Sequence, residues 1–418
     1  MSVRTLALAS ACLLALSLGA RADTNVTILH VNDNPAARAL WDKIAADYEA
    51  AHSGVKVQFK YLENEAFKAK LPTMLQSDDS RPSMFYSWGG GVMEAQVKAG
   101  FLKDLTNDVV DVEKPLSSTA VEAFKVDGKV YGVPWDTGEV PFFYNKKLFA
   151  KAGLKAEDIK TWDDFLGAIK KLKAAGITPM VVAAGDKWPM HFYYSYLVMR
   201  IGGERALTDA KAGKDGGFKG ATWVEAGKRL RELALLEPFQ AGYVATSHAQ
   251  SSGVFGDGKA AMDLMGDWLL GMQGPNASNG KGLSEDDIGV LPFPTLPGGK
   301  GKITDTLGGV HAFLVTKTAS ADTVDFLKFF SQEKYAKAAA EAGLYIPVYK
   351  GADQYIKDPI VKQIAGDLAK TTYHQNFFDQ DLGPSVGRVV NDISVAVAAG
   401  QMTPEAAAAA IQDAADQQ

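Results

Sequence analysis

The side chains best placed to do chemistry are a neighbouring tryptophan and carboxylate, Trp135-Asp136, inside the run VPWDTGEVPFFYNKKLFAKAGLKAEDIKTWDDFLGAIKKLK from Val133 to Lys173. An indole offers a flat apolar face and a carboxylate offers strong hydrogen-bond acceptors. A pyranose ring uses both, because its C–H faces stack on aromatic rings while its hydroxyls donate to carboxylates. The pair falls where one strand, 130–134, is expected to end and a second, 140–144, to begin. Trp88 has a comparable place, closing an expected strand from Ser83 and followed by Gly89-Gly90-Gly91. Ligands of open α/β sheets bind at the carboxyl ends of strands, and glycines leave bare backbone N–H groups that a ligand can approach. Trp88, Gly89 and Gly90 are therefore binding candidates. Trp188-Pro189 reads as a loop that is either a subsite wall or a packed turn. Trp162 opens a helix, while Trp41 and Trp223 sit at helical spacing among apolar neighbours, and all three are expected in cores.

Positioning such residues takes alternating strands and helices. Thr24 to Val31 reads as a strand, and Asn34-Pro35 then caps and opens a helix whose Leu40, Trp41, Ile44, Ala45 and Tyr48 share one face. Residues 55–62 read as strand, 65–76 as helix and 83–88 as strand, an alternation that gives a mostly parallel sheet covered by helices. Further on, 146–152 is helical and Gly153 ends it. Thr161-Trp162-Asp163-Asp164 has the form of a capping box. Residues 178–184 read as a buried strand, 192–201 as a helix, and 209–219 and 276–283 as surface loops.

At the N-terminus Arg4 precedes an apolar run from Leu6 to Leu18, and Ala20-Arg21-Ala22 supplies small residues for a signal peptidase. The run is too short to span about 30 Å of hydrocarbon. Cleavage after Ala22 and export to the periplasm are expected, in preference to lipidation at Cys12, the single cysteine. Losing residues 1–22 removes two arginines and no acids, leaving 42 basic against 49 acidic side chains, a net charge of −7. A mildly acidic surface argues against a nucleic-acid partner. The remaining length exceeds what one core normally organises, so two domains are expected.

Several ordered segments carry a resemblance. The chain has Phe143-Tyr144-Asn145-Lys146, Thr161-Trp162-Asp163-Asp164-Phe165, Phe255-Gly256-Asp257-Gly258-Lys259-Ala260-Ala261-Met262, Gly266-Asp267-Trp268, GVLPFPTLP from Gly289 to Pro297, and Leu307-Gly308-Gly309. In these it resembles the bacterial extracellular solute-binding proteins of family 1, the sugar-binding subunits of ABC importers. The resemblance implies an α/β, two-lobed periplasmic binding protein fold of type II-like form, with a hinge crossed more than once. It implies lobe one at 23–135 with 306–360 and lobe two at 136–305 with 361–418, after a signal peptide at 1–22. By the layout of the family's maltose-binding member, Asn32, Asp33, Asn34 and Glu63 would be polar hydroxyl partners, although Asn34 also reads as a plain helix cap. Trp268 would stack on ligand from lobe two. Gly308 and Gly309 would line the cleft with their backbone, His311 stands near them, Tyr345 would reach ligand from a turn, and Arg388 is the one strong cation placed near the cleft.

The implied partners are a small carbohydrate, a di- or oligosaccharide, and the membrane subunits of an ABC permease with their ATPase. No cofactor is expected, and the binding protein would work as a monomer. The six histidines form no HExxH and no close pair, so no zinc site is expected; no Gly-x-Ser-x-Gly elbow, P-loop or Gly-x-Gly-x-x-Gly occurs. Two rival readings stay open. Glu63 and Asp136 could flank a glycosidic bond in a secreted glycosidase. Alternatively the same fold could hold an anionic solute, such as a glycerol phosphate or sulfonated sugar, through Arg388.

Overall fold

In the computed structural model, which describes residues 24–418, the chain builds two main sheets with separate cores, besides a short hairpin of Lys125–Val126 with Lys129–Val130. The larger has seven strands. Six of them run in the spatial order Ile346–Pro347, Gly132–Glu139, Thr306–Val315, Met84–Ser87, Thr24–His30 and Val55–Tyr61, and His374–Asn376 adds to the start of Thr306–Val315. Its first three strands in sequence pair in parallel through helical crossovers, whereas Thr306–Val315 runs antiparallel to both its long neighbours. The smaller sheet orders Ile288–Leu291, Phe142–Asn145, Ala260–Leu264 and Thr178–Val181.

Local chemistry sets where helices begin. The Asn34 side chain accepts from the N–H groups of Ala36 and Ala37, with Pro35 at the first helical position, and the helix Pro35–Ala51 buries Trp41, Ile44, Ala45 and Tyr48 on one face. The capping box at Thr161 and Asp164 is present, and it starts Trp162–Ala174. Trp41, Trp162 and Trp223 are core residues, and the Trp162 indole donates to Glu232.

Two local expectations are overturned. Trp135 and Asp136 lie inside one unbroken strand, Gly132–Glu139, and not at a corner; a register shift against His311 and Ala312 is the only irregularity there. Trp188-Pro189 is no loop, because the helix Trp188–Gly202 starts four residues earlier than the apolar spacing suggests, with proline again in its first turn. Residues 209–219 hold as surface: once the helix Ala206–Lys211 ends, the chain is exposed through Gly216, and Asp215, Gly216 and Gly217 take positive φ within the kinked segment Lys214–Lys219.

The chain leaves the large sheet after Glu139 and returns at Thr306, and these two crossings are tied together. Val140 N–H donates to Leu307 carbonyl at 2.8 Å. The Tyr196 hydroxyl donates to Val140 carbonyl at 2.8 Å and accepts from Leu307 N–H at 3.1 Å. A third passage runs through His374–Asn376 into the helix Gly383–Ala398, which packs against Trp188–Gly202 on one side and Gly90–Lys98 on the other.

Candidate functional site

Between the two sheets lies a cavity with about 230 Å³ of space open to the centre of a water molecule, about tenfold or more what one water needs. Its rim is closed by contact between the two halves: Asp33 Oδ2 stands 3.7 Å from His248 Nδ1, and a Cβ on Gly271 would collide with the Asn34 side-chain amide.

The large sheet supplies one wall. Trp135 meets Tyr345 edge-on with centroids 4.7 Å apart, and Tyr86 meets Trp88 at 4.9 Å. His311, from the neighbouring strand, places Nδ1 2.7 Å from Asp136 Oδ1. Burial pushes the Asp136 carboxyl above its ordinary value, and His311 holds it back. Asn32 accepts from Asn34 N–H, Asn34 caps its helix while its amide rests against Gly271, and Asp33 is the member of that triplet that meets a basic group of the other half. Glu63 also lines the cavity, yet its carboxylate caps the helix Asn64–Gln76 by accepting from Glu65 and Ala66 N–H.

The small-sheet half supplies the facing wall from helix starts. Trp268 immediately precedes the helix Leu269–Asn276 and its ring folds over Gly266, where any Cβ would collide with it. That contact is the physical reason for a glycine two residues before the tryptophan. Trp188 opens its helix with its ring 6.2 Å from that of Trp268 and 5.1 Å from that of His248. Asp186 accepts from the His248 backbone N–H at 2.6 Å. Burial works against charge on His248, but the Asp33 carboxylate, with Asp263 and Asp186 nearby, outweighs it and raises the imidazole above its usual value. The indole nitrogens of Trp135 and Trp188, both residues 7% exposed, have no hydrogen-bond partner.

Of the residues singled out from sequence, Asn32, Asp33, Asn34, Glu63, Trp88, Trp135, Asp136, Trp188, Trp268 and Tyr345 line this one cavity. Gly89, Gly90, Gly308, Gly309 and Arg388 do not. Gly89 and Gly90 adopt left-handed backbone, φ +68° and +66°, to turn into the helix Gly90–Lys98, and a Cβ on Gly90 would press against Asn376, Gln380 and Asp381. Gly308 sits against the Gly138 backbone and Gly309 beneath the Phe377 ring. The space Gly309 clears is taken by Phe377, which lines the cavity itself, and His374 stands over Gly308. Arg388 is exposed on the outer side of the helix Gly383–Ala398.

Sequence reasoning missed Asp186, His191, His248, Phe377 and Asp379, and passed over Lys68 and Tyr86. The capping box Ser247 to Gln250 marks the helix that carries His248, and Asp267 stands inside the Gly-Asp-Trp segment already noted. Nothing local points to Lys68 and Asp379, which pair at 2.8 Å across 311 residues. Burial alone would raise the Asp379 carboxyl, but Lys68 and His191 pull it down to about 2. Among the described residues no group of three or more histidine, cysteine or acidic side chains could hold a metal ion.

The family model for bacterial extracellular solute-binding proteins matches residues 32–337. An ABC transporter extracellular-binding protein of Pyrococcus horikoshii is 27% identical over 254 residues, 59% of this chain and 56% of its own length, so the chain spans little more than half of that relative. The diacetylchitobiose binding protein DasA of Streptomyces coelicolor is 26% identical over 78% of this chain and 74% of its own. Among solved structures, a chitin oligosaccharide binding protein superposes with a TM-score of 0.86 at 25% identity, covering 94% of this chain and 98% of that one. Two lobes joined by a multiply crossed hinge, with a cavity between them, is the fold these proteins share, and the chain belongs to the bacterial extracellular solute-binding protein family.

Proposed function

We propose that this protein captures a carbohydrate between its lobes in the periplasm and offers the closed complex to an ABC permease, without chemical turnover. One observation carries the reading: four tryptophans, two from each half, surround a single cavity whose polar lining is dominated by carboxylates. Aromatic faces suit the C–H faces of sugar rings, and carboxylates accept from hydroxyls. Relatives whose names specify sugars support the class, though each name speaks for that relative alone. Lobe one is assigned to 23–135 with 306–360 and lobe two to 136–305 with 361–418. The two sheets support this division except at two places: the large-sheet strand Gly132–Glu139 runs four residues past the first boundary, and the strand His374–Asn376 also joins the large sheet. The leader and Cys12 lie outside the described residues.

An anionic ligand loses its support, because Arg388 faces outward and Lys68 is engaged with Asp379. A glycosidase built on Glu63 and Asp136 fares no better, since Glu63 caps a helix and Asp136 is held by His311. The test is a thermal-shift screen against a panel of sugars, because ligand that binds only the native state raises its apparent stability by mass action. At least one sugar is expected to raise the midpoint in proportion to the logarithm of its concentration, and overnight incubation should return it uncleaved. A panel with no shift at all, or glycan cleavage by the purified protein, would contradict the proposal.

A further inference from the structure

The charges around the cavity do not balance. Six carboxylates line it, from Asp33, Glu63, Asp136, Asp186, Asp267 and Asp379, against a single lysine and no arginine. Three of the six have a basic partner: Asp379 with Lys68, Asp33 with His248 and Asp136 with His311. Glu63 is turned to the N-terminus of its own helix, where the backbone N–H groups satisfy it. Asp186 and Asp267 remain, and neither forms an ion pair with any described residue. They sit on the small-sheet side, next to Trp268 and two residues before Trp188 in the chain, and line the same cavity as both rings.

A neutral polyol would hydrogen-bond these carboxylates yet leave their charge uncompensated once the lobes shut out water, which is unfavourable in a site of low dielectric. A protonated amine would compensate the charge directly and would also gain from the adjacent aromatic rings.

Resting on the carbohydrate reading above, we propose that the preferred ligand is a saccharide bearing a protonated amine, held at Asp267 and Asp186. The competing way to relieve the imbalance is a proton on the protein. Burial, reinforced by Asp136, pushes the Asp267 carboxyl up to about 7 despite His311, so a neutral sugar could be accommodated with Asp267 protonated. The two possibilities separate experimentally.

Three β-1,4-linked disaccharides that differ only at C2 serve as probes: the free-amine glucosamine dimer, its N,N′-diacetyl form and cellobiose, each titrated calorimetrically at pH 6, with the corresponding monosaccharides alongside. The proposal expects the amine member of a series to bind at least about tenfold more tightly than both counterparts. In Asp267→Asn, or in Asp186→Asn should the first variant fold poorly, that preference should shrink to within about threefold. Equal or tighter binding of the acetylated or hydroxyl sugar by the unmodified protein would overturn the amine proposal and leave sugar capture standing. Absence of binding by every sugar tried, amines included, would overturn both.

Discussion

The two walls of the cavity are built by opposite means. On the large-sheet side Trp135 is anchored as part of a core: it stacks on Phe313 at 6.1 Å, meets Trp41 edge-on at 5.3 Å and Tyr345 at 4.7 Å, and its strand is paired on both flanks. On the facing side Trp188 and Trp268 stand at helix starts, where short backbone motifs fix the ring, and Trp268 stays half-buried. Strand-borne rings therefore join folding and binding in one residue, whereas helix-start rings can serve ligand with less effect on stability. A protein that must open and close needs one rigid wall and one that can swing away without losing its own packing.

Substitutions can separate these roles. The largest effect should come from Trp135→Ala, which removes a core aromatic: a loss of roughly 3–5 kcal/mol in denaturant unfolding is expected, with binding lost as a consequence. If that variant unfolds like the parent, Trp135 is not the structural half of the contrast. Next comes the joint between the walls. Burial, with Asp367 and Asp267 nearby, pushes Glu139 up to about 8, Arg200 notwithstanding. Its carboxyl thus keeps a proton in the folded state that the unfolded chain releases near 4.5, so stability should fall as pH rises from about 4.5 to about 8. Glu139→Gln should flatten that decline by on the order of 3 kcal/mol, read from unfolding at pH 5 and pH 8; an unchanged slope would remove Glu139 from the hinge account. The smallest effect belongs to Arg388→Ala, which should leave both sugar affinity and stability within about 0.5 kcal/mol of the parent, since the side chain is exposed and outside the cavity. A tenfold loss of affinity there would mean the cavity extends further than the closed structure indicates.

Much of the frame was legible because its signals are local. Asn34-Pro35, the Thr161 capping box and the Gly-x-Trp at Gly266 each act within a few residues, and each marks a helix start that the structure contains. Trp88, Trp135, Trp188 and Trp268 could be nominated because large aromatics beside strand ends or glycines are few. What could not be read depends on pairing between distant segments. Phe377 fills the room above Gly309, Lys68 meets Asp379 and His248 meets Asp33, and neither partner in any of these pairs announces the other in sequence. The glycines themselves misled for a physical reason. A residue without a side chain can yield space to a ligand or to the protein's own packing, and at Gly90, Gly308 and Gly309 packing took it. The supposed corner at Trp135 failed because Gly132–Glu139 is paired on both sides, and that pairing carries it on as one strand with only a bulge at Trp135 where the residue types suggest a turn.

The most direct measurement is a side-by-side calorimetric titration of Trp88→Ala and Trp268→Ala with whichever sugar stabilises the parent protein most. One ring belongs to each wall, so a guest held between them must feel both losses. Affinity should drop at least about tenfold in each variant, with Trp268→Ala retaining a near-parental melting temperature. Parental affinity in either one would show that the ligand does not bridge the two walls.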